Sequence, residues 1–191
     1  MARNREFDVD AAVERAMDLF WRRGYAATSL QDLLGEMSIG SGSLYAAFGS
    51  KEKLYAHALE RYCSLYTQGF TERLEGDADV RTVVRGVLLD MVEADLAAPE
   101  RGCLVVNAAT ERGDDPATTG RVGAALRLVE SALAGALERA KARGELASDK
   151  DPAELARFLT TFVQGLRVVG KARLGRPFVE DAVSTALRAL D

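Results

Sequence analysis

Small and hydroxyl-bearing residues between positions 41 and 51 form the stretch of the sequence with the clearest chemical potential. Ser41, Gly42 and Ser43 lead a short predicted helix. Tyr45 lies within that helix, and Lys51 follows it. A helix N-terminus lined by small residues offers free N–H groups and a partial positive charge to a phosphate, and a phenol and an ammonium are ordinary phosphate donors. The stretch therefore predicts a surface that contacts DNA.

Base reading by this helix would use short side chains. The candidates are Ser41, Ser43, Ala46 and Ala47. Serine bonds to several base edges and alanine touches only a thymine methyl group, so each residue discriminates weakly between sequences. We expect DNA shape to contribute to specificity.

Two short helices with a tight turn between them must position these residues. Thr28 and Gln31 have the spacing of a capping box, which predicts a helix start near Ser29. The apolar pattern breaks between Ser38 and Gly40. Apolar stripes at helical spacing flank the break, one being Leu30, Leu33, Leu34 and Met37 and the other Ile39, Leu44 and Phe48. This arrangement predicts a helix-turn-helix.

The run GSLYAAFGSKEKL at residues 42–54, together with GYAATSL at residues 24–30, resembles the signature of the tetracycline-repressor (TetR) family of bacterial transcriptional regulators. The resemblance spans about residues 9–58. It implies an all-α fold with an N-terminal three-helix head that contains the helix-turn-helix, over residues 1–50. A C-terminal helical ligand-binding and dimerisation domain would follow over residues 51–191.

The resemblance also implies a function and a set of contacts. Thr28, Tyr45 and Lys51 match family positions that touch DNA phosphates. The predicted DNA-binding residues are Thr28, Ser41, Gly42, Ser43, Tyr45, Ala46 and Lys51. The implied protein is a homodimeric repressor of a palindromic double-stranded operator, released by an unknown small-molecule inducer or a thiol-reactive signal.

Three residues depart from the family pattern. Ser38 stands where the turn usually has glycine, so we expect a left-handed serine at a cost of about 1 kcal/mol. Gly40 replaces the usual serine cap of the second helix. Ser41 stands where relatives often have lysine or arginine, which removes a positive charge from the DNA surface.

The inducer pocket and the dimer interface are predicted from the later helices. Candidate pocket residues are Tyr62, Tyr66, Phe70, Met91, Asn107, Phe158 and Phe162, all of which could equally be core residues. The family's last two long helices pair with a second copy as a four-helix bundle. The interface residues predicted on them are Leu155, Leu159, Phe162, Leu166, Val183 and Leu187, with closure of the monomer core as the alternative.

Cys103 is a separate candidate for sensing. It begins a predicted helix after Gly102, and a thiolate at a helix N-terminus is stabilised and therefore reactive. Some TetR regulators sense oxidants or electrophiles through a cysteine in a similar setting. The alternative is a buried cysteine that acts as a small apolar residue. Cys63, inside a long helix, is expected to be inert.

Composition and charge limit the remaining classes. The chain has a net charge of −4, and residues 1–55 carry seven basic and eight acidic residues. Any positive potential must therefore be local, at Arg3, Arg5, Lys51 and Lys53. The first residues do not form a signal peptide and no apolar run is long enough to span a bilayer, so we expect a cytoplasmic protein without membrane contact.

We expect neither an enzyme nor a cofactor. His57 and Glu60 could supply half of a metal site, but the sequence contains no second pair. The glycines near position 41 follow no predicted strand, which argues against a dinucleotide site. Two cysteines and one histidine do not make a zinc site. The alternative to a repressor is a helical ligand-binding dimer that has lost DNA binding.

Overall fold

The computed structural model describes residues 7–76 and 78–191, which form nine α-helices and a short 3-10 turn. The helices are α1 (Val9–Arg23), α2 (Leu30–Met37), α3 (Ser41–Phe48), α4 (Lys51–Leu74), α5 (Val80–Ala97), α6 (Leu104–Glu111), α7 (Pro116–Ala142), α8 (Pro152–Lys171) and α9 (Arg176–Leu187), with the 3-10 turn at Arg188–Leu190. The predicted all-α fold is confirmed.

Helix α1 starts and stops at local signals. The Asp8 carboxylate accepts a hydrogen bond from the Ala11 N–H and caps the helix. Gly24 ends it with φ 82° and ψ 167°, a conformation that favours glycine, and its N–H donates to the Phe20 carbonyl.

The capping box of α2 is shifted by one residue from its predicted place. Ser29 is the N-cap, and the capping box is formed by Ser29 and Asp32. The sequence had predicted a capping box formed by Thr28 and Gln31. Thr28 is buried instead, with its hydroxyl donating to the Gly24 carbonyl at 2.7 Å. Burial of Thr28 between the helices leaves Ser29 as the hydroxyl that is free to cap.

The turn between α2 and α3 has the predicted geometry. Ser38 adopts φ 57° and ψ 40°, the left-handed conformation, and its N–H donates to the Gly35 carbonyl. Gly40 is the N-cap of α3, and no side chain caps the helix. Buried Leu44 and Phe48 anchor α3 to the head.

Helix α4 joins the head to the body. Its N-cap Ser50 accepts from the Lys53 N–H, and its 24 residues span about 36 Å. Helices α7 and α8 begin where an aspartate caps the N-terminus and a proline occupies the first turn, at Asp115 and Asp151.

The core of the head continues into the body. Leu33, Leu44 and Leu59 belong to the same buried cluster as Leu104 of α6 and Val122 of α7. A second cluster joins α5, α7, α8 and α9. The division at residue 50 therefore stays a functional prediction. None of the helices in the described ranges is long and apolar enough to cross a membrane.

Four of the predicted interface residues lie inside their own protomer. Leu159, Leu166, Val183 and Leu187 are buried in the body core, and Leu155 and Phe162 pack partly against it. Burial leaves the first four no surface for a partner. The apolar stripe of α8 that the sequence shows is its inward face, so the residues available to a partner must lie beside it.

Candidate nucleic-acid interface and thiol cluster

Helix α3 presents one continuous exposed face. Ser41, Gly42, Tyr45 and Ala46 are exposed, and Ser43 is half-buried. We call the first four residues the reading surface. Tyr45 is 52% exposed although it is a large aromatic residue, which is explained if the ring serves an external contact. The structure thus brings together the α3 residues that the sequence predicted.

Thr28 does not belong to this surface. Its side chain is fully buried and its hydroxyl is already bonded to the Gly24 carbonyl. It supports the loop before α2 rather than offering a free donor to a phosphate.

Lys51 is engaged within the protein. Its Nζ donates to the Tyr25 carbonyl at 2.7 Å and lies 4.2 Å from the centre of the Tyr25 ring. Burial, and then the nearby charge of Arg112, lower the pKa of Lys51. A phosphate contact by this ammonium must therefore replace its bond to Tyr25.

The other basic residues of the head are largely paired. Arg22 bonds to Asp18 and Glu36, and Arg23 bonds to Asp32. The pairs with Glu36 and Asp32 hold α1 against α2, and all three pairs cancel the arginine charges locally. The predicted positive arm at Arg3 and Arg5 lies outside the described residues.

The C-terminal end of α6 contacts the head. A Glu111 carboxylate oxygen accepts from the Tyr25 N–H at 2.7 Å, and the carboxylate occupies the space that a Cβ on Gly24 would fill. Sequence reasoning missed this contact because Glu111 and Tyr25 are 86 residues apart and no local pattern joins them.

Arg112, which follows α6, also contacts α4 and the start of α7. Its guanidinium lies 4.2 Å from the centre of the Tyr25 ring, on which Lys51 also lies. It bonds to Glu52 at 3.1 Å and to Asp115 at 3.0 Å. Hydrogen bonds from Thr118 and then Arg112 lower the pKa of Asp115 to about 2.

At the opposite end of α6, Cys103 is the N-cap and is only 1% exposed. Its sulfur accepts from the Tyr62 hydroxyl at 3.7 Å, and the Arg167 guanidinium lies beside it. The Gly102 carbonyl accepts from Trp21 Nε1 at 3.0 Å and from Arg167 Nη2 at 2.9 Å. The predicted sensor residue thus touches α4 directly and adjoins α1 through one carbonyl.

Arg167 also makes a buried ion pair with Asp95, at 2.8 Å. We call Tyr62, Asp95, Cys103 and Arg167 the thiol cluster. Burial raises the pKa of Asp95, and the charge of Arg167 opposes that rise. Within the described part of the chain, Arg167 Nε and Asp95 Oδ2 have no hydrogen-bond partner. Sequence reasoning missed both residues because a charge inside a helix normally signals a solvent-exposed position.

The predicted pocket residues do not surround one open cavity. Tyr62 and Tyr66 stack with ring centres 6.3 Å apart, while Phe158 lies on the outside of α8. Asn107 is already bonded to the Arg101 carbonyl and to Lys171, and Met91 is half-buried on α5. The cavity beside Phe70 measures about 10 Å³, room for about one water molecule.

A larger groove opens on the outer face of α8 and α9. It measures about 550 Å³. Its lining residues are Phe158, Phe162, Phe178, Asp181, Ala182, Thr185 and Ala186. Phe158 and Phe178 are large apolar side chains left in solvent by the protomer.

Comparison with known proteins gives the same assignment in both halves. The family model described as "Bacterial regulatory proteins, tetR family" matches residues 12–58. The model described as "Tetracyclin repressor-like, C-terminal domain" matches residues 79–186. The chain is 34% identical to the HTH-type transcriptional regulator YezE of Bacillus subtilis (strain 168), over the full length of both. It is 30% identical to the HTH-type transcriptional repressor ComR of Escherichia coli (strain K12), over 97% of this chain and 90% of ComR.

Solved structures agree with this assignment. A cysteine-substituted variant of the TetR family transcriptional regulator CifR, complexed with 26-base-pair double-strand operator DNA, superposes with a TM-score of 0.85, 38% identity and full coverage of both chains. The reduced form of Escherichia coli NemR shares the fold, with a TM-score of 0.82, 24% identity and 93% coverage of each chain. The chain therefore belongs to the TetR family of helix-turn-helix transcriptional regulators.

Proposed function

We propose that this regulator is a repressor that binds a palindromic operator through the reading surface of α3. The observation that carries the proposal is the exposed Tyr45 on a helix whose first turn is built from small residues. Such a helix can approach the base edges of a major groove closely while its N-terminal N–H groups face a phosphate. CifR, with 38% identity, is solved with operator DNA, and ComR is named a repressor.

The repressor acts as a homodimer joined at the groove between α8 and α9. Phe158, Phe162 and Phe178 form an apolar strip there that a second copy would bury. A two-fold interface brings the same patch of each subunit together, and it sets the two α3 helices on half-sites separated by whole turns of DNA.

A charge in the groove tests the dimer. Phe178→Asp is expected to elute as a monomer in size-exclusion chromatography with light scattering, while the parent elutes as a dimer. Leu128→Asp is the matched control, because Leu128 is 58% exposed on α7, compared with 52% for Phe178, and does not line the groove. A dimeric Phe178→Asp protein would move the interface elsewhere.

The signal that releases DNA acts on the helical body, and Cys103 is the candidate residue that it modifies. A ligand or modification changes DNA affinity only if it favours one conformation over the other. Helix α6 has eight residues and spans about 12 Å. It connects the Cys103 sulfur to the Glu111 and Arg112 contacts on the head, so a shift at one end displaces the other.

Replacement of the Cys103 thiol tests whether this residue senses the signal. Cys103→Ser is expected to bind DNA and to keep it when a thiol-reactive compound is added, whereas the parent releases it. Cys63→Ser is the matched control, because burial raises the pKa of Cys63 to about 11 and keeps that thiol protonated. Release by the Cys103→Ser protein at the parent's dose would remove Cys103 from the mechanism and leave a non-covalent inducer.

Recovery of the operator tests the main proposal. Purified protein is mixed with sheared DNA of its source genome at low salt, and the retained fragments are sequenced. One palindrome is expected to be enriched, because phosphate contacts strengthen as salt falls and base contacts select among sites. Absence of any enriched sequence would contradict the repressor.

The second candidate is a ligand-binding dimer without DNA affinity. The paired arginines Arg22 and Arg23 favour it, because they leave little free positive charge on the head. Loss of all DNA retention at low salt would select this candidate. In either case the proposed setting is the cytoplasm, and we propose no catalytic activity.

A further inference from the structure

The joint between α3 and α4 carries two lysines in different surroundings. Lys51 and Lys53 both lie in the first turn of α4, which follows the reading helix after two residues. Lys51 is half-buried and Lys53 is exposed. Either ammonium group could meet a DNA phosphate beside α3, so the partners that each one already has decide which is free to do so.

The Lys51 ammonium is held by the Tyr25 segment of the head. It donates to the Tyr25 carbonyl at 2.7 Å and lies 4.2 Å from the centre of the Tyr25 ring. Glu111 fixes the same residue from the body by accepting from the Tyr25 N–H at 2.7 Å. Movement of Lys51 to a phosphate would break a charge-assisted hydrogen bond and a cation–π contact. The Tyr25 carbonyl would keep only the Thr28 N–H, at 3.4 Å.

The Lys53 ammonium has no comparable partner. It lies 3.6 Å from the place that a Cβ on Gly49 would take, at the end of α3. Within the part of the chain that the structure describes, it makes no hydrogen bond or ion pair. The neighbouring acid, Glu52, is bonded to Arg112 at 3.1 Å. The charge of Lys53 is therefore available to an external anion.

The other basic residues of the head already have acceptors. Apart from the two lysines, the bases in the described stretch 7–60 are Arg15, Arg22 and Arg23. Arg15 donates to the carbonyl of the last residue of α2 at 3.4 Å. Arg22 and Arg23 form ion pairs with acids of α1 and α2. In this stretch, Lys53 is thus the one cation that binds no protein group, and it lies where the reading helix ends.

We propose that Lys53 binds a DNA phosphate at the joint between α3 and α4, and that Lys51 stays bonded to Tyr25 when DNA binds. The ligand is a phosphodiester of the DNA backbone, which an ammonium recognises as a point charge. The proposal rests on the DNA-binding function proposed above and assigns one of its contacts. It differs from the family resemblance, which implies that Lys51 makes this contact.

The salt dependence of binding counts phosphate contacts. Each lost contact reduces the slope of log affinity against log salt by about 0.9. A homodimer loses two contacts in Lys53→Met, so its slope is expected to fall in magnitude by about 1.8. Raising the salt from about 50 to 200 mM should then weaken the parent about tenfold more than the variant. Lys53→Arg keeps the charge and is expected to keep the parent's slope.

Fluorescence anisotropy on a labelled duplex that carries the enriched palindrome measures these slopes. Lys51→Met is expected to keep the parent's slope but to melt at a lower temperature, because the Tyr25 carbonyl loses its donor. Arg85→Met is the matched control. Arg85 is exposed on α5 and makes no ion pair in the described structure, so this variant removes an equal charge from the body. Its slope should be that of the parent.

Two results would overturn the assignment to Lys53. One is a Lys53→Met protein with the parent's slope, and the other is a Lys51→Met protein whose slope falls by the amount expected for Lys53→Met. A parent that binds no duplex even at low salt would instead contradict the DNA-binding function, and this contact with it. Failure of the contact and failure of the function are therefore separate results.

Discussion

The reading surface and the thiol cluster are built in opposite ways. The reading surface carries exposed side chains on a helix that two buried residues, Leu44 and Phe48, hold in place. The thiol cluster is buried, and its members come from α4, α5, α8 and the start of α6 and are joined by hydrogen bonds and an ion pair. The first can therefore meet a large partner without rearrangement. The second cannot change its chemistry without disturbing its neighbours, which is the property that a sensor needs.

The largest expected effect follows from breaking the buried pair. Arg167→Ala leaves the Asp95 carboxylate buried without its partner and is expected to lower the free energy of unfolding by about 3–5 kcal/mol. Arg176→Ala, which breaks an exposed pair with Glu93, is the control and is expected to cost at most about 1 kcal/mol. Urea denaturation measures both. Similar losses would show that burial does not distinguish the cluster from the surface.

The link between the two regions comes next. Glu111→Ala removes the acceptor of the Tyr25 N–H and is expected to destabilise the protein by about 1 kcal/mol. It should also weaken transmission, so that modification of Cys103 lowers operator affinity about fivefold less than in the parent. Glu138→Ala, at an exposed site on α7, is the control. Unchanged transmission would mean that α6 does not carry the signal.

A smaller effect is expected in the turn that sets the angle of α3. Ser38→Gly removes the backbone strain of a left-handed serine, about 1 kcal/mol, but gives the unfolded chain more conformational freedom. A net gain of about 0.5 kcal/mol in the free energy of unfolding is therefore expected. Thermal unfolding measures it. Destabilisation by this change would show that Ser38 makes a favourable contact that outweighs its backbone strain.

The smallest effect concerns acid stability at the start of α7. The pKa of Asp115 is lowered from 3.8 to about 2 by Thr118 and then by Arg112. Because the ionised form is favoured in the folded state, its stabilisation is complete above pH 3.8 and is lost as the pH falls towards 2. Asp115→Asn should therefore flatten the stability curve in that window, as followed by urea denaturation. A curve that stays parallel to the parent's would contradict the ion pair.

Local chemistry made the head predictable from the sequence. The left-handed Ser38, the Gly40 cap and the exposed face of α3 all follow from residues within a turn of one another. The capping box was placed one residue early because Thr28 and Ser29 are adjacent hydroxyls. Only burial of Thr28 against its neighbours decides between them.

Long-range contacts could not be read from the sequence. Glu111 reaches Tyr25, and Arg167 reaches Gly102 across 65 positions. Each residue lies in a helix where a charge normally indicates a solvated face. The prediction of the residues that meet a second copy was misled for a related reason. The strongest apolar stripe of α8 packs inward, and the outward face carries only scattered large apolar side chains, Phe158 and Val168 among them.

Operator affinity of Tyr45→Ala tests the central claim most directly. Fluorescence anisotropy on the enriched palindrome should show a loss of about tenfold or more relative to the parent, since Tyr45 is the largest side chain of the reading surface. Leu128→Ala, at a site on α7 that is 58% exposed, should bind like the parent. If Tyr45→Ala binds the operator as tightly as the parent and melts at the same temperature, the exposed face of α3 does not read DNA.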